Sequence, residues 1–258
     1  MPIAQHRLIH PPNPNTLTTM SAERKDLDQP SSQTAVNAFL HRVAATPRRA
    51  SGESGGRLIF AMDATASREP TWDRAAEIQS SMFLETRDLG GLAVQLCHYG
   101  GFHAFEASAW LQDSESLLKC MNRVHCEAGL TQIGRLLQHA IDESARGRVN
   151  ALVFVGDCME EDRDRLAGLA GRLGLLGVPV FVFQEGRDPA AEPALRDIAR
   201  LSGGAWCPFD MNSPRLLRDL LSAVAVYAAG GRQALERYGR ERGGAILQLT
   251  HQIVGKGR

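Results

Sequence analysis

The sequence predicts an α/β protein: an open, doubly wound, mostly parallel six-stranded sheet with helices on both faces. Two observations carry this. Short apolar runs alternate with stretches of helical period through residues 57–229, the pattern of strand–helix units whose strands are buried on both sides. Gly100-Gly101 joins two neighbouring strand-like runs. Such a pair suits a tight turn at positive φ, so the third strand is expected antiparallel to the second, at an edge.

The elements follow in order. Residues 1–30 carry Pro11, Pro12, Pro14 and Pro30 among scattered polar residues, too little apolar surface to order, so a disordered segment is expected. Met20 opens MSAERKD, which reads as an ordinary start. Ser31 and Ser32 can cap a short helix with Val36, Phe39, Leu40 and Val43 on its apolar face. Residues 48–56 are linker by composition, so residues 31–56 form a helix and linker, docked or free. Arg57 to Met62 is the first strand. A helix with Pro70 in its first turn and Trp72, Ala75, Ala76, Met82 and Phe83 inward is expected to reach about Arg87. Leu92 to Tyr99 and Phe102 to Trp110 are the hairpin strands. Helices are expected over 113–122 and 131–145, and Ala151 to Val155 is a continuous apolar strand. Then come a helix over 162–176, a strand over 178–183, a helix over 192–202, a short strand over 205–209 and a closing helix over 213–229. Residues 230–258 form a charged, then apolar, helical tail.

Composition excludes some functions. Lys plus Arg equals Asp plus Glu, 29 each, in 258 residues, so no global field favours nucleic acid or an anionic membrane. No apolar run approaches about 18 residues, so no spanning helix is expected. The five cysteines are odd in number and form no CxxC pair, which reads as reduced thiols in a cytoplasmic protein.

Chemistry concentrates in three stretches. Asp63 ends the first strand, followed by Thr65 and Ser67. Thr131 lies in GLTQI, before a helix. Asp157 ends the fourth strand in LVFVGD. In an open α/β sheet, ligands bind beyond the carboxyl ends of the strands, where the winding reverses. If these strands are neighbours, both carboxylates converge there. Two carboxylates and three hydroxyls offer hard oxygens suited to Mg²⁺.

The Asp63-Ala64-Thr65-Ala66-Ser67 stretch resembles the DxSxS motif of the von Willebrand factor A (VWA) domain family. Thr131 is similar to that family's lone metal-site threonine, and Asp157 to its aspartate after the fourth strand. The resemblance covers residues 57–229 and implies the Rossmann-like strand order 3-2-1-4-5-6. It also implies a metal-ion-dependent adhesion site (MIDAS) holding Mg²⁺ or Mn²⁺. Thr65 and Ser67 would ligate directly, Thr131 directly once a partner is bound, and Asp63 and Asp157 mostly through water. The ion would accept an Asp or Glu from a protein partner, without catalysis. Bacterial-type intracellular members point to a subunit of an ATP-driven complex as that partner. Two departures stand out: Thr65 where the family usually has Ser, and Cys158 where a Gly is frequent.

Other features have plainer readings. Glu160, Glu161 and Asp162 read first as an acidic first turn that complements a helix dipole, and second as a rim selecting basic partners. His98, His103, His125, Cys120 and Cys126 match no structural zinc spacing. Cys158 reads as a small buried filler, and Trp72, Trp110 and Trp206 as anchors. Two competing functions stay open. One is Mg²⁺-dependent phosphoryl transfer with Asp63 as nucleophile. Against it, Thr65 stands where a second acid would be expected, and none of the three lysines ends a late strand. The other is a scaffold whose metal site is vestigial.

Overall fold

The strands are β1 (Gly56–Asp63), β2 (Leu92–Gly100), β3 (Ala104–Ala107), β4 (Ala151–Gly156), β5 (Val180–Glu185) and β6 (Ala205–Phe209). They form one sheet in the order β3-β2-β1-β4-β5-β6. Every pairing is parallel except β2 with β3. The expected order and the antiparallel edge strand are both observed. The computed structural model describes residues 38–39, 42–43, 45–46, 55–89, 91–101, 104–209 and 214–242, without the side chains of Ser67, Leu89, Pro214, Leu216 and Arg242. The expectations for residues 1–30, the Ser31–Ser32 cap, His103 and residues 243–258 lie outside the described residues.

The helices are α1 (Glu69–Ile78), α2 (Ser80–Thr86), α3 (Ser114–Met121), α4 (Ile133–Arg146), α5 (Arg163–Leu176), α6 (Ala191–Leu201) and α7 (Pro214–Arg242). Strand alternation divides them into two layers. Leu58, Phe60 and Met62 of β1 share a core with α1, α2, α3 and α7. Ile59 and Ala61 share the other core with α4, α5 and α6. Both faces of β1 are therefore dry, which is why its sequence is a continuous apolar run.

Several boundaries differ from expectation. The helix expected to reach Arg87 is broken at Gln79, a turn residue between α1 and α2. The third strand is shorter than its apolar run. The Leu96 amide donates to the Ser108 hydroxyl at 3.0 Å, so a side chain enters the ladder and the regular strand stops at Ala107. The closing helix continues past residue 229. Gly231, at φ 73° and ψ −166°, breaks it without ending it, and Ala234, Leu235 and Tyr238 join the α7-side core. The described N-terminal helical residues dock on the same layer. Phe39 meets Phe181 and Phe183 edge-on at 6.0 and 5.2 Å, and the Thr46 hydroxyl donates to the Gly203 carbonyl at 3.0 Å.

The glycines of α5 divide sharply. A Cβ on Gly168 or Gly171 would meet nothing within 4 Å, whereas one on Gly174 would lie 2.4 Å from the Leu201 carbonyl oxygen. Gly168→Ala and Gly171→Ala should each raise stability by about 0.5–1 kcal/mol, through helix propensity alone. Gly174→Ala should lower it. Urea denaturation of the three variants checks this; a uniform response would refute the packing of α5 on α6.

Candidate metal centre

β1 and β4 are parallel neighbours, with Met62 opposite Val155. At the carboxyl end of this pair Asp63 closes β1 and Asp157 follows the last residue of β4, and the winding reverses between the two strands. Asp63 follows Met62 and is 1% exposed. Its Oδ1 accepts the Thr65 amide at 2.7 Å, which turns the chain sharply off the strand. Its Oδ2 is buried and has no hydrogen-bond partner among the described residues. Burial raises the Asp63 pKa from 3.8 to about 6, nearby Asp157 adds to this, and the Thr65 hydrogen bonds oppose it. One donor atom each from Asp63, Asp157 and Cys158 lies within 4.8 Å of the others. Cys158 is half-buried beside both carboxylates, not a buried filler. Asp63 pairs with Tyr99 across β1 and β2. Tyr99 is also 1% exposed, and its hydroxyl has no partner among the described residues. Burial, then Asp63, Glu161, Cys158 and Asp157, push its pKa well up. The phenol therefore lies within the field of the acidic cluster.

The loop that carries Thr131 is tied to the same edge. The Glu127 amide donates to the Ala64 carbonyl at 2.9 Å, and the Gly101 amide to the Glu127 carbonyl at 3.3 Å. A Cβ on Gly129 would lie 2.0 Å from the Gly101 carbonyl oxygen, so only glycine lets the loop lie against the hairpin. The Thr131 hydroxyl donates to Glu160 Oε2 at 2.8 Å, and its amide to the same oxygen at 3.1 Å. Glu161 accepts the amides of Ile133 and of Gly134, the latter at 2.9 Å. It thus caps α4 from a different loop, answering that helix's unsatisfied amides. Of the acidic run, only Asp162 caps its own helix, accepting the Arg165 amide at 2.7 Å. Glu160 and Glu161 instead serve the Thr131 loop. The structure thus brings together Asp63, Thr65 and Asp157, and holds Thr131 through Glu160. The Ser67 backbone lies in the 3₁₀ turn Ala66–Arg68; its side chain is outside the described residues.

A cation already stands at this edge. Arg68 is 7% exposed. Its Nη2 lies 3.2 Å from Asp157 Oδ2, and its Nη1 pairs with Glu185 at the end of β5. The Thr71 hydroxyl also donates to Glu185. The guanidinium bridges the exits of β4 and β5 from the turn after β1.

Compared with protein-family models and with curated proteins, the chain matches none. Solved structures do match. The SpRpn10 VWA domain superposes with a TM-score of 0.52 at 17% identity, over 65% of this chain and 94% of that one. Proximal thread matrix protein 1 from the mussel byssus gives 0.53 at 13% identity, over 68% of this chain and 48% of its own. The pilus adhesin SpaC from Lactobacillus rhamnosus GG gives 0.51 at 8% identity, over 74% of this chain and 31% of its own. The chain has the fold of a VWA domain. In this VWA fold, Asp63, Thr65 and Asp157 stand at the carboxyl edge, the usual ligand position of an open α/β sheet.

Sequence reasoning missed Arg68, Glu185, Tyr99 and the roles of Glu160 and Glu161. Glu185 carried a signal, as a third acid at the exit of a strand, in FVFQE. Arg68 and Tyr99 carried none beyond ordinary turn and strand residues. As the spacing indicated, His98, His125, Cys120 and Cys126 form no group placed to hold an ion among the described residues. His98 instead pairs with Glu106 across the hairpin at 3.7 Å and meets Trp72 edge-on. Trp72 donates from Nε1 to the Asp63 carbonyl at 2.9 Å, so this anchor positions the site. Chemically, a buried carboxylate oxygen without a partner, beside a second carboxylate and a thiol, fits a divalent cation. Such an ion would neutralise the pair and use the orphaned oxygen.

Proposed function

We propose that the protein is a metal-dependent interaction module: a divalent ion at the carboxyl edge of its VWA fold accepts an Asp or Glu from a protein partner. The observation that carries this reading is the Asp63 carboxylate, 1% exposed, with one oxygen unpartnered and Asp157 beside it. The residues proposed to hold the ion are Asp63, Thr65, Ser67, Thr131 and Asp157. Mg²⁺ or Mn²⁺ is the ion that the family resemblance implies. Thr131 would exchange its bond to Glu160 for the ion when the partner binds. We take binding rather than catalysis as the reading, since Thr65 stands where a phosphoryl-transfer site would be expected to place a second acid.

A second reading has one observation in its favour. Arg68, paired with Asp157, supplies positive charge to the site, and the module then binds partners as a scaffold without metal. Thermal unfolding separates the two readings, because a ligand selective for the folded state stabilises it by mass action. The melting midpoint should rise with millimolar Mg²⁺ or Mn²⁺ relative to EDTA, and the rise should vanish in Asp63→Ala. Equal midpoints across Mg²⁺, Mn²⁺, Zn²⁺ and EDTA would favour the scaffold.

The five cysteines are all free, which supports the cytoplasm as the compartment. No helix among the described residues is long and apolar enough to cross a membrane. The partner class we propose is a subunit of an ATP-driven complex. Affinity capture from native lysate, with and without EDTA, tests this, with Asp63→Ala as the control.

A further inference from the structure

Three donor atoms stand together at the exits of β1 and β4: a carboxylate oxygen of Asp63, one of Asp157, and the Cys158 sulfur, all within 4.8 Å of one another. Bonds to a zinc-type ion run about 2.0–2.3 Å for oxygen and sulfur. Small side-chain rotations therefore bring all three donors onto one ion. Two observations point to a missing ligand, one on a donor itself and one on a residue outside the donor set. Asp63 Oδ2 and the Tyr99 hydroxyl are both buried, on residues 1% exposed, and have no hydrogen-bond partner among the described residues. No other group of three or more His, Cys, Asp or Glu side chains among the described residues is placed to hold an ion.

Sulfur changes which ion such a site prefers. Carboxylates, hydroxyls and water suit Mg²⁺ and Mn²⁺, whereas a thiolate favours softer ions of the zinc type. We propose that Cys158 is a direct metal ligand, and that with Asp63 and Asp157 it makes this site selective for a thiophilic divalent ion, Zn²⁺ or its analogue Co²⁺, over Mg²⁺. This rests on the metal-site reading above and changes its ion and its ligand set. Asp63 and Asp157 bind directly rather than through water. Three protein ligands leave a fourth tetrahedral position open, the position a partner's carboxylate takes. On binding, the metal–sulfur bond replaces the S–H bond, and the thiol proton leaves to solvent. Arg68 remains on the second oxygen of Asp157 and on Glu185, outside the ligand set.

Co²⁺ titration of the full-length chain tests the assignment, read by the near-ultraviolet thiolate-to-cobalt charge-transfer absorption. A Cys120→Ser, Cys126→Ser background removes the other partly exposed thiols. The expected result is a saturable band at one equivalent, displaced by Zn²⁺ and not by excess Mg²⁺. Adding Cys158→Ser should abolish the band and weaken Zn²⁺ binding at least about tenfold, leaving Mg²⁺ binding within about threefold. A band that survives Cys158→Ser overturns the proposal. If Mg²⁺ or Mn²⁺ raises the melting midpoint while no charge-transfer band forms, the thiol is no ligand and the metal-site reading stands alone. If no ion changes either the spectrum or the midpoint, both fail. The first measurement uses the Cys158 protein itself, so its outcome does not depend on how the serine variant folds.

Discussion

Replacing Arg68 with alanine should cost about 3–5 kcal/mol of stability, the range for breaking a buried ion network from one side. Arg68 is 7% exposed and joins Asp157 to Glu185. Without it, Asp157 and Glu185 lose the guanidinium that pairs with both of them at this sheet edge. The side chain's apolar stem is lost as well. Urea denaturation measures the loss directly. The loss should be smaller with a divalent ion present than in EDTA, because the ion then compensates Asp157. A cost that metal does not reduce would favour the scaffold reading, in which Arg68 rather than an ion supplies the positive charge. A cost under about 1 kcal/mol, the value of an exposed pair, would show that the guanidinium is not the counter-charge of this edge.

Asp63→Asn should do two opposite things. In EDTA it should stabilise the protein at neutral pH, and it should abolish stabilisation by divalent ions. Burial holds the Asp63 pKa at about 6 in the folded chain, against 3.8 as its reference value. Between those pH values the folded state keeps a proton that the unfolded state releases. This group's contribution to stability therefore falls as pH rises through that window, and the full cost remains above it. The gap corresponds to about 2–3 kcal/mol at pH 7. Asparagine removes the cost, keeps an oxygen for the Thr65 amide and offers its NH₂ to Asp157. The difference between wild type and variant in EDTA should vanish near pH 4. A variant that is less stable than wild type in EDTA at pH 7 would contradict this. A site whose own ligand destabilises the empty fold trades stability for binding.

Much of the fold was legible because its signals are local. The run RLIFAMD has a strand's length and a buried strand's composition, and Asp63 marks where it ends. Asp162 and Gly177 bracket α5 as cap and left-handed terminus. Asp63, Thr65 and Asp157 could be named because a parallel sheet delivers strand ends to one edge. Signals failed where a distant partner decides the outcome. No periodicity distinguishes a glutamate that caps its own helix from one that, like Glu161, caps another 27 residues away. The Ser108 interruption of β3 likewise follows from a side chain bonding to the next strand.

The sequence by itself determined the α/β class, the hairpin at Gly100-Gly101, the strand whose end carries Asp63, and the composition that excludes a nucleic-acid field. Local periodicity and turn chemistry suffice for these, because each depends on residues close in sequence. The tertiary structure decided the site's charge and donor set: Arg68 between Asp157 and Glu185, Glu160 on Thr131, Cys158 grouped with Asp63 and Asp157, and the buried Tyr99 opposite Asp63 on the next strand. Those interactions join loops and strands far apart in the chain. Their strength comes from burial, which exists only once the two helical layers have closed over the sheet.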